Sequence, residues 1–245
     1  MPRYPELDLL RTLAVLGMIV YHAAYDLETI YHWDISVLTG TWKLFQRIIA
    51  GTFLLLVGIS FAVSWERAQR RMAQATFWQL YRKYLQRGTL TLLCALLVTI
   101  VTSIALPTMY IRFGILHLIG TAILLLPFFT VLHLWNALPA LIMLVLGFSL
   151  IGTPVETAWL LPLGFVPPHF VTLDYFPLLP WLGVILLGYC TGLLLYIPEK
   201  HPNTREPPTQ KVLSVLTWPG RHALLIYMVH QPIVLLVLWG VEGRI

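Results

Sequence analysis

The chain has 245 residues, of which 58% are apolar and 11% are charged, whereas about 25% of the residues in a soluble domain are charged. This composition excludes an ordinary soluble globular protein. The net charge of +5 would suit a nucleic-acid-binding protein, but six of the 16 basic residues lie between Arg67 and Arg87, in one connection between apolar segments. Such a cluster is typical of the cytoplasmic side of a membrane protein, so we expect no nucleic-acid partner.

Apolar segments long enough to approach the ~20 residues of a membrane-spanning helix recur along the whole chain. Lipid offers backbone polar groups no partner, so these segments predict an all-α, polytopic helical membrane protein whose partner is the lipid bilayer. Cys94 and Cys190 both lie in apolar segments, and we expect no disulfide framework. The seven predicted spans, in chain order, are 7–27, 43–65, 86–106, 111–132, 137–151, 176–197 and 219–240.

The basic connection between the second and third spans predicts the orientation of the chain. It belongs in the cytoplasm, which places the amino terminus and the polar loop 198–212 there too. On this assignment 12 Lys or Arg residues are cytoplasmic, and seven crossings place the carboxyl terminus outside. The basic residues left on the outer side are Lys43, Arg47, Arg112 and Arg244.

One apolar stretch does not read as a span. Residues 152–175 are rich in Pro and Gly, which predicts a re-entrant or surface-lying loop with one interfacial helix. No segment is long enough to form a separate soluble domain. We therefore expect a single integral membrane domain over residues 1–245, in the inner (plasma) membrane of a bacterium.

The first span carries ionisable residues along one face, which we call the polar stripe: Asp8, Arg11, His22 and Asp26. At ~100° per residue, Arg11 and His22 differ in direction by about 20°, and both aspartates fall about 60° to one side. Charges inside a membrane helix are costly and usually serve function. Asp26, one turn after His22, is placed to fix the imidazole tautomer and raise its basicity. The alternatives are a buried structural histidine and a simple Asp8–Arg11 ion pair.

Further polar residues are predicted at the same outer depth as His22, and we take them as candidates for substrate binding. Tyr227 accompanies two of them in the last span, where Pro232 interrupts the hydrogen-bond ladder of the helix. Taken singly, each is as well explained by packing. No zinc spacing, Walker loop or dinucleotide fingerprint occurs, so we expect no metal. The candidates are Arg112, His117, Asp174, His230 and Gln231.

Several segments together resemble a known family. Arg11, ten residues and then His22 match the Arg-x10-His arrangement of transmembrane acyltransferases. More specifically, the chain resembles bacterial membrane proteins grouped with the heparan-alpha-glucosaminide N-acetyltransferase catalytic domain. It departs from the Asp-x-x-Arg-Gly motif of the animal-type enzymes at Thr12, and it has His22 where they have Asn, so His32 is an alternative base. The matching segments are LDLLRTLAVLGMIVYHAAYDL, TFLLLVGISF, FGILHLIG, DYFPLLPWLGVILLGY and GRHALLIYMVHQP.

The resemblance implies transfer of an acetyl group from cytoplasmic acetyl-CoA to an acceptor outside, often a glycan sugar. In that scheme Arg11, beside Asp8, binds the donor, and the basic loop attracts its phosphates. His22, with Asp26, deprotonates the amine or hydroxyl that attacks the thioester. A glycan or small-molecule acceptor is then the second partner. The sequence leaves a homo-oligomer open, together with two other functions: a proton-coupled small-molecule transporter and a non-catalytic membrane subunit.

Overall fold

The structure is a computed structural model that describes residues 4–150, 153–197 and 211–243. These residues are mostly helical, and apart from isolated bridges none of them forms a strand. The predicted all-α class is therefore confirmed. Most of the predicted cytoplasmic loop, residues 198–210, lies outside the described residues, and so does Arg244.

The helices overlap all seven predicted spans, and most of their ends lie within about four residues of the prediction. The second helix ends six residues later than predicted, and the third begins nine residues earlier. Two short 3-10 turns, Thr130–Asn136 and Ala158–Leu163, accompany them. The second turn lies in the predicted interfacial loop. The α-helices are α1 (Pro5–Thr29), α2 (Gly40–Arg71), α3 (Phe77–Ala105), α4 (Ile115–Phe129), α5 (Ala137–Leu150), α6 (Leu178–Tyr196), α7 (Lys211–Leu216), α8 (Trp218–Arg221) and α9 (Ala223–Glu242).

Among the described residues, six helical stretches are long and apolar enough to cross a membrane, against the seven that the sequence predicts. The difference lies at 115–150. This 36-residue helical stretch is counted as one candidate span, whereas the sequence predicts two spans there, the fourth and the fifth. His133, with φ 45° and ψ −124°, interrupts the helical backbone inside this stretch. Helix length and composition thus do not confirm seven spans, although the break falls where the sequence separates two of them.

The chain divides into two compact units, which are described separately. The terminal unit comprises Met1–Leu56 and Asn203–Ile245, and the central unit comprises Val57–Pro202. Helix α2 contributes its first half to the terminal unit and its second half to the central unit.

In the terminal unit, α1 packs against α8 and α9. Gly220, in α8, lies directly on the backbone of Asp8 and Thr12. Further along both helices, Gln231 of α9 is hydrogen-bonded to Asp26 of α1. The contacts advance in the same direction along both segments, so α1 and α9 run parallel.

The loop between α1 and α2 folds back onto the end of α1. The Glu28 carboxylate accepts a hydrogen bond of 2.7 Å from the backbone N–H of Val37. The Val37 side chain is fully buried against Tyr21 and Ala24. This small apolar cluster fixes the last turns of α1, where His22 and Asp26 lie.

In the central unit, the second half of α2 packs closely against α6. Gly58 lies so near the backbone of Ile185 and Tyr189 that a Cβ there would overlap it. Gly192 approaches the backbone of Ile59 in the same way. Small residues permit such close helix contacts, which membrane helices use because apolar surface alone gives them little reason to associate. Helices α2 and α6 run parallel.

The other helices of the central unit pack as two pairs, α3 with α4 and α5 with α6. In the second pair, Gly147 meets Pro180 near one end, and Gly183 meets Ala140 further along. The residue numbers rise in one helix as they fall in the other, so α5 and α6 run antiparallel.

The close contact at Gly58 gives a test of the packing. We expect Gly58→Ala to lower the free energy of unfolding by about 1–3 kcal/mol, the usual cost of overpacking, because its Cβ would meet backbone of α6. Gly51→Ala, in the same helix, is the matched control. Its Cβ would have nothing within 4 Å, and it should be neutral or stabilising by up to about 1 kcal/mol through helix propensity. Thermal unfolding in detergent measures both, and equal effects of the two changes would contradict this packing.

Candidate functional site

The charged pair at the start of α1 is formed. Arg11 Nη1 lies 2.6 Å from Asp8 Oδ1, and the side chains are 23% and 13% exposed. Residues three apart lie on one helix face, which allows the contact. This pairing is one of the two alternatives that the sequence leaves open, and the predicted role of both residues in binding acetyl-CoA stays a prediction.

Thr12, the residue at which the chain departs from the family motif, has a structural role. Its Oγ1 accepts a hydrogen bond of 2.9 Å from the backbone N–H of Gly220. It also lies 2.9 Å from the carbonyl oxygen of Leu216 and 3.0 Å from that of Asp8, either of which can accept its single hydrogen. The hydroxyl therefore ties α1 to the segment that leads into α9.

Two imidazoles meet further along the same pair of helices. The ring centroids of His22 and His230 are 4.9 Å apart, with the ring planes at 59°. His230 is 6% exposed, and its Nδ1 lies 2.7 Å from the carbonyl oxygen of Tyr227. Its Nε2 is buried without a hydrogen-bond partner among the described residues.

Asp26 contacts a different residue from the one that helix spacing predicts. Gln231 Nε2 donates to both carboxylate oxygens of Asp26, at 3.0 and 2.8 Å, and no hydrogen bond joins Asp26 to His22 among the described residues. The predicted His22–Asp26 pairing is therefore not formed. Helix α9 brings an amide donor to the carboxylate from 205 positions away along the chain, which i, i+4 geometry within α1 does not reveal. Gln231 Oε1 is buried and has no hydrogen-bond partner among the described residues.

His117 belongs to the central unit, where backbone and side-chain partners engage both of its ring nitrogens. Nδ1 accepts from the backbone N–H of Gly114 at 3.3 Å. Nε2 then carries the hydrogen and faces Thr99 Oγ1 at 3.4 Å, while that hydroxyl donates to the Ile111 carbonyl. These contacts hold the start of α4 against α3.

Asp174 and Arg112 lie in the segments that precede α6 and α4. Asp174 Oδ2 accepts a hydrogen bond of 2.9 Å from the backbone N–H of Ile115 and so caps α4. Burial raises the pKa of the Asp174 carboxyl to about 6, against the opposing effect of its backbone hydrogen bonds. The Arg112 guanidinium lies over the rings of Tyr110 and Phe170, at 4.9 and 5.3 Å from their centroids.

The structure thus assigns the predicted site residues to two groups. His22, Asp26, His230 and Gln231 come together in the terminal unit, with Asp8 and Arg11 lower on α1. Arg112, His117 and Asp174 belong to the central unit. His32, the alternative base, lies on the exposed loop after α1 with a left-handed backbone, φ 60°.

Sequence reasoning named each member of the terminal group but missed the His22–His230 and Asp26–Gln231 contacts. The signal that could have found them is the pair of polar residues immediately before Pro232 in an otherwise apolar span. Within the described ranges, no three His, Cys, Asp or Glu side chains come together in a way that could hold a metal ion.

The fold and these buried polar groups define a polytopic, all-α integral membrane protein with a polar centre between two of its helices. The family described as heparan-alpha-glucosaminide N-acetyltransferase, catalytic, matches residues 3–232. The chain belongs to this family, which confirms the predicted resemblance and implies transferase activity; it does not favour the transporter. Comparisons with curated proteins and with solved structures gave no match.

The raised pKa of Asp174 predicts a pH-dependent stability. The folded state binds the proton more tightly than the unfolded chain, so the stabilisation is present below about pH 4 and is lost as the pH rises through about 6. Asp174→Asn should remove this dependence, so that its stability relative to wild type rises by about 3 kcal/mol between pH 4 and a pH above 6. Thermal unfolding in detergent from pH 4 to 8 measures it. Asp34→Asn, on the exposed loop, should follow the wild-type curve. If the stability of Asp174→Asn changed with pH in parallel with that of wild type, the raised pKa of Asp174 would be contradicted.

Proposed function

We propose that the chain is a membrane-embedded acetyltransferase that moves an acetyl group from cytoplasmic acetyl-CoA to the amine or hydroxyl of an acceptor, a sugar, on the opposite side of the membrane. Its family membership supports the reaction class. The observation that carries the proposal is the contact between His22 and His230, since acyl transfer needs a group that takes a proton from the attacking atom.

The proposed roles follow the two ends of the polar stripe. Arg11, paired with Asp8, is the cation of α1, and an arginine suits the phosphates of acetyl-CoA because its planar fork binds them in two places. His22 lies ~16 Å further along the helix axis. We place His22 and Asp26 at the reaction centre. In the terminal unit, His230 and Gln231 are proposed to bind the acceptor. For the residues of the central unit the predicted role in acceptor binding stays a prediction: Arg112, His117 and Asp174.

We further propose that residues 1–245 act as one domain in a bacterial inner membrane. The family match supports this, because residues 3–232 include most of both units. The basic residues between Arg67 and Arg87 would face the side from which the donor arrives.

Acetyl transfer by the purified chain tests the function. With acetyl-CoA and a panel of amino sugars and glycan lipids, we expect release of CoA together with an acetylated product. His22→Ala should lower the rate by at least about tenfold, because His22 is proposed to lie at the reaction centre, where proton transfer contributes about 10²–10⁴-fold. The melting temperature should stay close to that of wild type. His32→Ala, on the exposed loop, is the control and should keep the rate. If no acceptor is acetylated and acetyl-CoA does not bind, the proposal fails.

For this function we propose that the chain crosses the membrane seven times, with its amino terminus in the cytoplasm. The parallel packing of α1 and α9 supports an odd number, because the first and last spans then cross the membrane in the same direction. The break at His133 supports a reversal of direction within 115–150, the stretch that counts once in the total of six.

Reporter fusions at each end of the full chain test this topology. We expect a cytoplasmic signal at the amino terminus and an external signal at the carboxyl terminus. A carboxyl terminus on the same side as the amino terminus would indicate an even number of crossings. In that case the two termini would contradict the parallel arrangement of α1 and α9.

A further inference from the structure

The hydrogen bond of His230 determines which of its nitrogens is available. A carbonyl oxygen accepts only, so the 2.7 Å contact with Tyr227 places the ring hydrogen on Nδ1. In the neutral ring, Nε2 then carries the lone pair. This nitrogen is buried and has no partner among the described residues, so it is an acceptor without a donor.

Gln231, the next residue, presents a second acceptor of this kind. Its amide nitrogen is used by Asp26, whereas its Oε1 is buried and unpartnered within the described part of the chain. Both side chains face α1, because His230 contacts His22 and Gln231 contacts Asp26, one turn apart. Buried polar atoms without partners are rare in folded proteins, and each requires an explanation.

Two neighbouring acceptors are explained by a ligand that donates hydrogen bonds. An uncharged primary amine does this with its two hydrogens, and a polyol does it with the hydrogens of two adjacent hydroxyl groups. In either case the attacking atom keeps a lone pair with which to attack an acyl carbon. A carboxylate or a phosphate offers no hydrogen in its ionised form, and it would also lie near the Asp26 carboxylate. The site therefore suits the nucleophilic end of an amine or polyol rather than an anionic group.

We infer that His230 Nε2 is the base that takes the proton from the attacking amine or hydroxyl. Gln231 Oε1 orients the acceptor through a second hydrogen bond, donated by the other N–H of the amine or by a hydroxyl adjacent to the attacking one. The inference rests on the proposed acetyl transfer. It assigns His22 as a positioning residue, whose ring packs against His230. Asp26 positions Gln231, because it holds the amide nitrogen and leaves Oε1 facing the acceptor.

The transfer balances with the groups named. The acceptor nitrogen or oxygen bonds to the carbonyl carbon of the acyl thioester, and its proton moves to His230 Nε2. The carbon–sulfur bond then breaks, and the thiolate takes the proton from the imidazolium to leave as a thiol. The backbone carbonyl of Tyr227 accepts the hydrogen bond from Nδ1–H throughout. This bond keeps the His230 ring oriented and stabilises the imidazolium that forms during the transfer.

Two matched variants of the full chain in lipid nanodiscs test the assignment: His230→Asn and His22→Asn. The Asn side chain retains a donor near the position of Nδ1 but has no basic nitrogen. With acetyl-CoA and the amino sugar that the wild type uses fastest, His230→Asn should lower kcat by about 10²–10⁴-fold. It should also remove the limb of the pH–rate profile that reports the base. His22→Asn should keep that limb, with a smaller loss of rate.

Melting temperature and acetyl-CoA affinity establish whether each variant is folded. If His230→Asn is not, His230→Ala with added imidazole replaces it, and imidazole should restore the rate there but not in His22→Ala. The inference is overturned if only His22→Asn loses the limb of the pH–rate profile, or if imidazole restores the rate only in His22→Ala. Either result would leave the proposed acetyl transfer unaffected. Absence of transfer by the wild type is instead a failure of the proposed function.

Discussion

The hydrogen bonds between Asp26 and Gln231 hold the candidate site of the terminal unit together. A carboxylate in a membrane helix is costly unless polar groups surround it, and Gln231 supplies a donor to both of its oxygens. That contact fixes how α9 lies along α1. It thereby brings His230, one residue earlier, against His22, one turn earlier on α1. The imidazole pair therefore depends on a polar contact that neither histidine makes.

A second polar contact stabilises the same helix pair near its other end. Thr12 bonds the backbone N–H of Gly220, and the glycine itself lies on the backbone of α1. The two contacts are separated by four turns of α1, so they fix both the distance and the register of the helices. In lipid, apolar burial gives helices little reason to associate, so interhelical hydrogen bonds and close backbone packing stabilise their contacts instead.

The polar residues of the central unit have structural roles at the start of α4. Asp174 caps α4 from a distant segment, and His117 joins the start of the same helix to Thr99. Each satisfies backbone or side-chain groups that would otherwise be unpaired in an apolar setting. A role in acceptor binding would come in addition to these structural contacts.

The sequence by itself determined the class of the protein, the approximate position of its apolar helices and the family. Composition, apolar segment length and the Arg-x10-His spacing are local properties of the chain. The sequence also identified His22, Asp26, His230 and Gln231 as polar residues that an apolar span would not carry without reason. Only the tertiary structure decided which of these residues contact one another. Helix periodicity gives directions within α1, and so it predicted a partner for Asp26 one turn away. The actual partner lies on α9, and the carbonyl bond that leaves His230 Nε2 unpaired depends on side-chain geometry that no spacing encodes.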